Sequence, residues 1–419
     1  MAMGDKMVER TYKYRLYPDR EQEEILNRTL ILCKNLYNVA LDQRKTFWQV
    51  DHESVTYKKQ ADELKDIKTH HPEYNEVYSQ VLQDILRRLD KSFRNFFRTR
   101  KGYPRFKSCR NFKSFVYPQS GFRLDGNRLK FSKVGNVRIV LHRPIVGKVK
   151  TLTVKRYPDR KWYAFFVVGI PDSPVPNYEP KNPVGLDAGL TNLLTLSTGE
   201  RLGNPKWFRE SERRLARAQR ELSKRVKGSK RREKQRIKVA RLHRKVRDQR
   251  SDFQHKLSKF LVSKFDCIVV EDLKIRNMVR NRCLSKSISD AGWNELYIKI
   301  AYKAESAGKW YVRVSPNGTT QDCSKCGTVV PKELKDRTHV CPSCGLTMSR
   351  DLNASINILR RGLKSLTESR LIAIPLEQRK STLVETSPSA GSKNRIGKAG
   401  QRSEKPPSLD GGGSRIIIL

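Results

Sequence analysis

Two short runs in the last third of the chain, CSKCG at 323–327 and CPSCG at 341–345, each set two cysteines three positions apart ahead of a glycine. That spacing lets both thiolates of a pair reach one ion, and Gly327 and Gly345 permit the tight turn it requires. Fourteen residues separate the pairs, just short of the loop of about 15–20 usual for such sites. Cys323, Cys326, Cys341 and Cys344 therefore read as a four-thiolate zinc site. Four protein ligands leave no position for water or substrate, so this zinc is expected to be structural and to contribute folding energy directly.

Three carboxylates are the other candidates for chemistry: Asp187 in GLDAG, Glu271 in IVVED and Asp351 in SRDLNAS. Singly, each has a plain explanation. Asp187 could be a turn residue, Glu271 a solvated strand end, and Asp351 a helix N-cap ahead of LNASINILRRGLK. Together they read differently, because the first two follow the apolar β-type runs VGL and CIVV. If those strands pair, both carboxylates emerge at one sheet edge, and the third begins a helix that must pack back on that sheet. Oxygen ligands held this way suit Mg²⁺ or Mn²⁺. Two such ions about 3.5–4 Å apart stabilise the attacking and leaving oxygens of an in-line displacement at a phosphodiester. Asp187, Glu271 and Asp351 are thus the candidate catalytic residues and magnesium ligands.

Charge points to the same class of partner. Over 419 residues, 87 Lys and Arg face 43 Asp and Glu, a formal surplus of +44. Such a field calls for a polyanion, and neutralising phosphates releases condensed counterions whatever the base sequence. An anionic membrane surface is the competing partner. No apolar run approaches the roughly 20 residues needed to span a bilayer, and the opening MAMGDKMVERTYKYRLYP has no apolar core of a signal peptide. A cytoplasmic place, beside the nucleoid, is expected. In a reducing compartment the scattered Cys33, Cys109, Cys267 and Cys283 read as small buried apolar residues.

The elements that must position these residues follow from periodicity. VERTYKYRLYPD alternates as a strand that ends at Pro18, and from about Glu21 the spacing of Ile25, Leu26, Leu30, Leu36, Val39 and Ala40 turns helical. A second helix is expected from about Asn75 to Arg98, and KGYPRFK after it is a loop. Short β-rich segments between 112 and 170 predict a small antiparallel sheet or barrel. The Pro-rich PDSPVPNYEPKNP reads as a weakly structured linker. VGLDAGLTNLLTLSTGE predicts two strands joined through AGLTN. Residues 209–262 predict two long helices broken near Gly228, and between 209 and 250 nineteen Lys and Arg stand against five acids. FDCIVVEDL and YVRVSP read as strands on either side of a helix near AGWNELYIKIAYKAESAG.

In this order, YRLYPD, FRNFF with GYPRFK, VGLDAGLTN, VVEDLKIRNM, SISDAGW, the paired knuckles and SRDLNASINI resemble the TnpB proteins. These proteins, also called OrfB, are encoded by insertion sequences and related to type V CRISPR effector nucleases. The resemblance runs from VERTYKYRLYP to SINILRRG. It implies an α/β multidomain protein with a RuvC-like, RNase H type nuclease domain at 181–319, including the basic hairpin 209–262. A zinc ribbon at 320–346 would precede a final nuclease helix at 347–369. A wedge-like β-barrel at 1–18 and 103–172 would carry a helical recognition domain at 19–102. Residues 173–180 would be the linker and 370–419 a disordered tail.

By that resemblance the protein would be a Mg²⁺-dependent, RNA-guided DNA endonuclease of a transposable element. Its partners would be a guide RNA and double-stranded target DNA, with base pairing choosing the sequence and the protein reading a short motif beside it. A single copy of the chain with its RNA is the expected assembly. Tyr57 and Gln83 would touch that motif, in a region where Trp48, Tyr74, Tyr78 and Gln80 also mix aromatic and amide groups with basic ones. Ser79 stands where a lysine is expected, and Ser349 where relatives often carry a further acid. The ribbon would act as a clasp that brings Asp351 up to Asp187 and Glu271. Two other classes compete: a non-catalytic RNA- or DNA-binding regulator of transposition, and a transposase that joins strands itself.

Overall fold

Asp19 closes a capping box at the head of the first long helix. Its carboxylate accepts from the Gln22 N–H at 2.8 Å, and the Gln22 side-chain oxygen accepts from the Asp19 N–H at 3.2 Å. Two N–H groups that a helix start leaves open are thereby satisfied. In the computed structural model, residues 7–99, 102–171, 176, 178–333 and 335–367 are described. Strand β1 (Met7–Tyr17) leads into helix α1 (Arg20–Val50), as the change of period predicts. Val39, expected on the buried stripe of α1, is instead exposed.

After α1 the chain forms α2 (Tyr57–Asp62) and α3 (Leu64–His70), neither of which the periodicity reveals. A helix of six or seven residues is too short to print a pattern. The helix expected from Asn75 begins only at Ser79, as α4 (Ser79–Thr99), because Pro72–Glu76 is a 3-10 turn and Val77 is extended. Buried Arg44 on α1 pins α2: its Nε donates to Gln60 at 2.9 Å, and its guanidinium meets Asp90 of α4 at 3.4 Å.

Strands β2 (Ser114–Tyr117), β3 (Phe122–Asp125), β4 (Arg128–Phe131), β5 (Gly135–Val140), β6 (Lys148–Arg156) and β7 (Trp162–Pro171) follow. With β1 they form an antiparallel sheet in the order β2-β6-β7-β1-β5-β4-β3. Its two edges approach each other. Tyr117 on β2 packs on Phe122 of β3 and Phe131 of β4, with ring centroids 6.3 and 5.6 Å apart, so the sheet is barrel-like and nearly closed. Its interior and the buried faces of α1 and α4 share one core that includes Leu26, Leu36, Leu82, Ile85, Phe115 and Phe166. Only β3 escapes the sequence reading, since FRLD carries two apolar residues.

A second sheet has a different pattern. It contains β8 (Pro183–Ala188), β9 (Asn192–Leu196), β10 (Arg201–Gly203), β11 (Cys267–Glu271) and β12 (Trp310–Val314), in the order β10-β9-β8-β11-β12. β8, β11 and β12 run parallel, while β9 pairs antiparallel with β8 and β10. Between β10 and β11 lie the basic helices α5 (Trp207–Ser223) and α6 (Lys230–Lys264). Between β11 and β12 lie α7 (Ile275–Met278), α8 (Ser285–Ala291) and α9 (Trp293–Ser306). A small ribbon, β13 (Thr338–Val340) and β14 (Thr347–Ser349), then leads directly into α10 (Arg350–Thr367).

The side chains of this sheet alternate between two layers, as strand geometry requires. Val184, Leu186, Ile268 and Val270 face a core shared with α6, α8 and α9. Cys267, Val269, Val312 and Val314 face the opposite way, against Ile358 of α10. The hairpin also reaches the first sheet: Arg244 pairs with buried Asp159, and Arg160 with Glu233 at 3.1 Å.

Three expectations need amendment or lie beyond view. Cys33 and Cys267 are buried as expected, but Cys109 and Cys283 are exposed and so are not core residues. The linker falls partly on 172–175 and 177, outside the described residues. Its Tyr178 is held in place, its carbonyl accepting from Trp310 Nε1 at 2.9 Å. The tail at 370–419 lies outside the described residues. Among those described, no helix is long and apolar enough to cross a membrane.

Candidate active site

The register of β8 and β11 sets Leu186 beside Val270, so Asp187 and Glu271 come next to each other at the carboxyl ends of two neighbouring parallel strands. Alternation turns both away from the α9 layer and toward α10, on the same face as Gly185 and Val269. They are 8% and 6% exposed, which removes both plain explanations: Asp187 lies in a strand rather than a turn, and Glu271 is not solvated.

α10 reaches this face because two glycines let it. A Cβ on Gly185 would lie 2.1 Å from the Ser355 carbonyl oxygen, and one on Gly362 would lie 2.4 Å from Val269 Cγ2. Helix backbone therefore rests on strand backbone at Gly185 and on the Val269 side chain at Gly362. Asp351 sits one turn before Ser355 on the same helical stripe. It is not an N-cap, since the helix already begins at Arg350; it belongs to the first turn, 3.5 Å from the Arg350 Nε.

Electrostatics register the encounter. Burial, then the charges of Glu271 and Asp351, push the Asp187 carboxyl up to about 8. Burial also raises Glu271, while a hydrogen bond from Thr319 and the charge of Arg361 oppose the shift. A buried acid crowded by two like charges, as Asp187 is, is what a bound divalent cation would relieve, and an all-oxygen donor set fits Mg²⁺ or Mn²⁺. Asp187 feels the charges of the other two carboxylates, and the three are not gathered as tightly as the cysteines. Among the described residues, the cysteines alone form a group of three or more His, Cys, Asp or Glu gathered tightly enough to hold an ion as they stand.

In that second cluster, the Sγ atoms of Cys323 and Cys344 are 3.6 Å apart, those of Cys326 and Cys341 3.5 Å, and all four lie within 4.8 Å of one another. A tetrahedron with Zn–S bonds of about 2.3 Å has S–S edges of about 3.8 Å, so the donor set fits zinc. The knuckles repeat each other. Gly327 and Gly345 donate to the Cys323 and Cys341 carbonyls at 2.9 and 3.0 Å, with φ of +82° and +70°. Hydrogen bonds from Thr328 hold the Cys326 thiol down to about 6.

Two residues in this region were not picked out from the sequence. Asn353 and Asn357 on α10 are buried, and both donate to the Asp322 carbonyl, at 2.8 and 2.7 Å. Asn353 also accepts from the Ser324 N–H at 2.9 Å, tying the helix to the first knuckle. Two asparagines four positions apart inside an apolar helical pattern were the available signal, since buried amides need partners.

Away from this site, Tyr57 and Gln83 share a surface. The Tyr57 hydroxyl accepts from Arg87 Nε at 3.1 Å, the Arg87 guanidinium lies 5.6 Å from its ring centre, and Gln83 is one turn before Arg87 on α4. At Ser79 a lysine does arrive, from another element: the Lys68 ammonium of α3 donates to the Ser79 hydroxyl at 2.6 Å. Gln80 accepts from Ser120 at 3.3 Å, Tyr74 is buried and Trp48 exposed.

Comparison with known proteins adds kinship to this geometry. Residues 165–282 match the OrfB family model described as "Probable transposase", and residues 293–358 match the Cas12f1-like TNB domain. A helix-turn-helix domain model matches 7–52, residues that here form β1 and the single helix α1. Among solved structures, the chain resembles Cas12f1 from a complex with sgRNA and target DNA. The TM-score is 0.52 at 13% identity, over 84% of this chain and 98% of that one, which is a likeness of fold. Two relatives are named "Putative RNA-guided DNA endonuclease". One, from Streptomyces pristinaespiralis, is 38% identical over 85% of this chain and 90% of its own length. The other, InsQ of Escherichia coli (strain K12), is 32% identical over 89% and 98%. Identity at that level across nearly the full length of both relatives places the chain in the OrfB, or TnpB, family.

Proposed function

We propose that this chain is an RNA-guided DNA endonuclease of a transposable element, hydrolysing DNA phosphodiesters in a RuvC-like domain built on its second sheet. The observation that carries the reading is the buried pair Asp187 and Glu271, faced by Asp351 closely enough to lift the Asp187 carboxyl. The order of the second sheet, the insertion of the cysteine ribbon ahead of α10 and the names of the two relatives support it. When bound, Mg²⁺ or Mn²⁺ would stabilise the attacking and leaving oxygens of the displacement.

The chain's own residues hold that site. Asp187 and Glu271 offer oxygens from rigid strand ends, and Asp351 offers its own from the first turn of α10. Burial limits water around Asp187 and Glu271, and Asp187 must give up its proton before it can serve as a ligand. Cys323, Cys326, Cys341 and Cys344 would hold zinc and fix the approach to α10. The hairpin of α5 and α6 supplies cations for the phosphates of guide RNA and double-stranded target DNA. Tyr57 and Gln83 would read the motif beside the target, helped by the lysine at Ser79. A single chain with its RNA, in the cytoplasm beside the nucleoid, is the proposed working form.

Asp187→Ala tests the reading. Incubated with guide RNA and a matched target, the variant should lose cleavage by more than about a thousandfold and keep RNA affinity within about twofold. Loss of RNA binding with intact cleavage of unguided DNA would overturn it. The family model's description favours a second reading, in which the same acids join strands. Joined rather than cut products from donor and target DNA would establish that instead.

A further inference from the structure

Between β12 and the first knuckle the chain passes over Glu271, and there it buries Thr319 to 1% exposure. The Thr319 hydroxyl lies 2.6 Å from Glu271 Oε1 and 3.0 Å from the Pro316 carbonyl. It has one proton to give, and the nearer acceptor, Glu271, takes it. The same residue is held from behind. Its carbonyl accepts from Asn357 Nδ2 at 3.0 Å, and Asn357 and Asn353 both grip the Asp322 carbonyl. The Asp322 carboxylate in turn accepts from Arg361 at 2.7 Å. A continuous chain of hydrogen bonds, part-buried at Asp322 and buried at its other links, thus runs from the residues flanking Cys323, through α10, to one oxygen of Glu271.

We propose that Thr319 is a positioning residue for Glu271, and that Asn353 and Asn357 hold its loop so that the ribbon orients this carboxylate. The proposal rests on the reading of Glu271 as a metal ligand. A glutamate has three side-chain torsions, and burial alone does not choose among its rotamers. A hydrogen bond on Oε1 restricts the carboxylate's rotation and leaves Oε2 available as a ligand oxygen. The ribbon then aligns two of the three acids: Asp351 by covalent continuity with α10, and Glu271 through a threonine hydroxyl. A site assembled from remote segments needs such a supporting contact, because small misplacements of a ligand lower activity steeply.

The test separates the hydroxyl from the shape. Thr319→Val keeps the volume and removes the donor, while Thr319→Ser keeps the donor and removes a methyl group. In the full chain with its guide RNA, Thr319→Val should raise the half-saturating Mg²⁺ for cleavage about tenfold. In the full chain without RNA, it should weaken Mn²⁺ binding measured by electron paramagnetic resonance by a similar factor. Zinc content should hold, the melting temperature should fall by no more than several degrees, and Thr319→Ser should return both metal readouts to within about twofold of the parent. Thr319→Val matching the parent in both, or Thr319→Ser as impaired as Thr319→Val, would overturn the proposal. Thr319→Ala takes the place of the valine variant if that one does not fold. Glu271→Gln is the control. If it changes neither Mn²⁺ binding nor cleavage, the reading of Glu271 has failed and the proposal with it. If it abolishes both while Thr319→Val alters neither, the proposal alone has failed.

Discussion

The cysteine cluster and the carboxylate cluster solve the same problem, gathering ligand atoms, by opposite routes. The four cysteines span 323 to 344, and two short turns of matching geometry bring their sulfurs to 3.5–3.6 Å across the cluster. Asp187, Glu271 and Asp351 lie 84 and then 80 residues apart. They come together only because two strands pair in one register and a helix docks where one glycine on the strand and one on the helix allow close approach. The first site is a property of local loops, and the second is a property of the whole domain. Local assembly lets thiolates sit at ligand spacing, whereas among the described residues the acids do not form so tight a group, and Asp187 is raised by burial and by the charges of the other two. The segment from Thr319 to Ser324, gripped by Asn353 and Asn357, joins the two.

Cutting that link at the metal end should have the largest effect. Cys341→Ser should lose ribbon zinc, measured as metal content, and cleavage should fall with it by more than about a hundredfold. Full cleavage without zinc would make the two clusters independent.

Gly185→Ala attacks the carboxylate side alone. A methyl group 2.1 Å from a backbone oxygen forces α10 off the sheet. It should destabilise the domain by about 2–4 kcal/mol in denaturant unfolding and reduce cleavage while zinc stays bound. Gly345→Ala, in open space but at positive φ, should give a smaller loss, confined to the ribbon.

Asn353→Ala breaks the tie between the clusters without touching either set of ligands. It leaves the Ser324 N–H buried and unpaired, which should lower stability by about 1–3 kcal/mol. A loss of cleavage beyond that expected from unfolding would measure the coupling itself.

The smallest effect has a favourable sign. In metal-free protein the Asp187 carboxyl sits near 8, above the ordinary 3.8, so the folded state keeps a proton that the unfolded state gives up. Stability should therefore decline as pH rises from about 4 to about 8. Asp187→Asn should remove that decline and raise the melting temperature at pH 8, with the gap closing toward pH 4. Mg²⁺ should narrow the gap by stabilising the parent protein. An equal melting temperature at pH 8 would show that the carboxyl is neither buried nor crowded.

The legible parts of the chain were those whose signal is local. Cys-x-x-Cys-Gly repeats, the alternation of VERTYKYRLY and the break at Gly228 are visible because turn, strand and helix each leave a period of a few residues. FRLD was too short and too polar to read as a strand, and α2 and α3 were too short to show a period. Thr319 looked like any loop threonine. Its role depends on a carboxylate 48 positions away, and the lysine beside Ser79 is Lys68, 11 positions away on another helix.

By itself the sequence determined which residues could act: four thiolates in two knuckles, three acids at the ends of apolar runs, and a cationic field fit for nucleic acid. What the tertiary structure alone decided is that Asp187 and Glu271 share one face of one sheet, that α10 lies close enough to present Asp351, and that Thr319 holds Glu271. The physical reason is the range of the forces involved. Turn geometry acts over a few residues, whereas strand register and helix docking are set by packing between segments that the sequence keeps far apart.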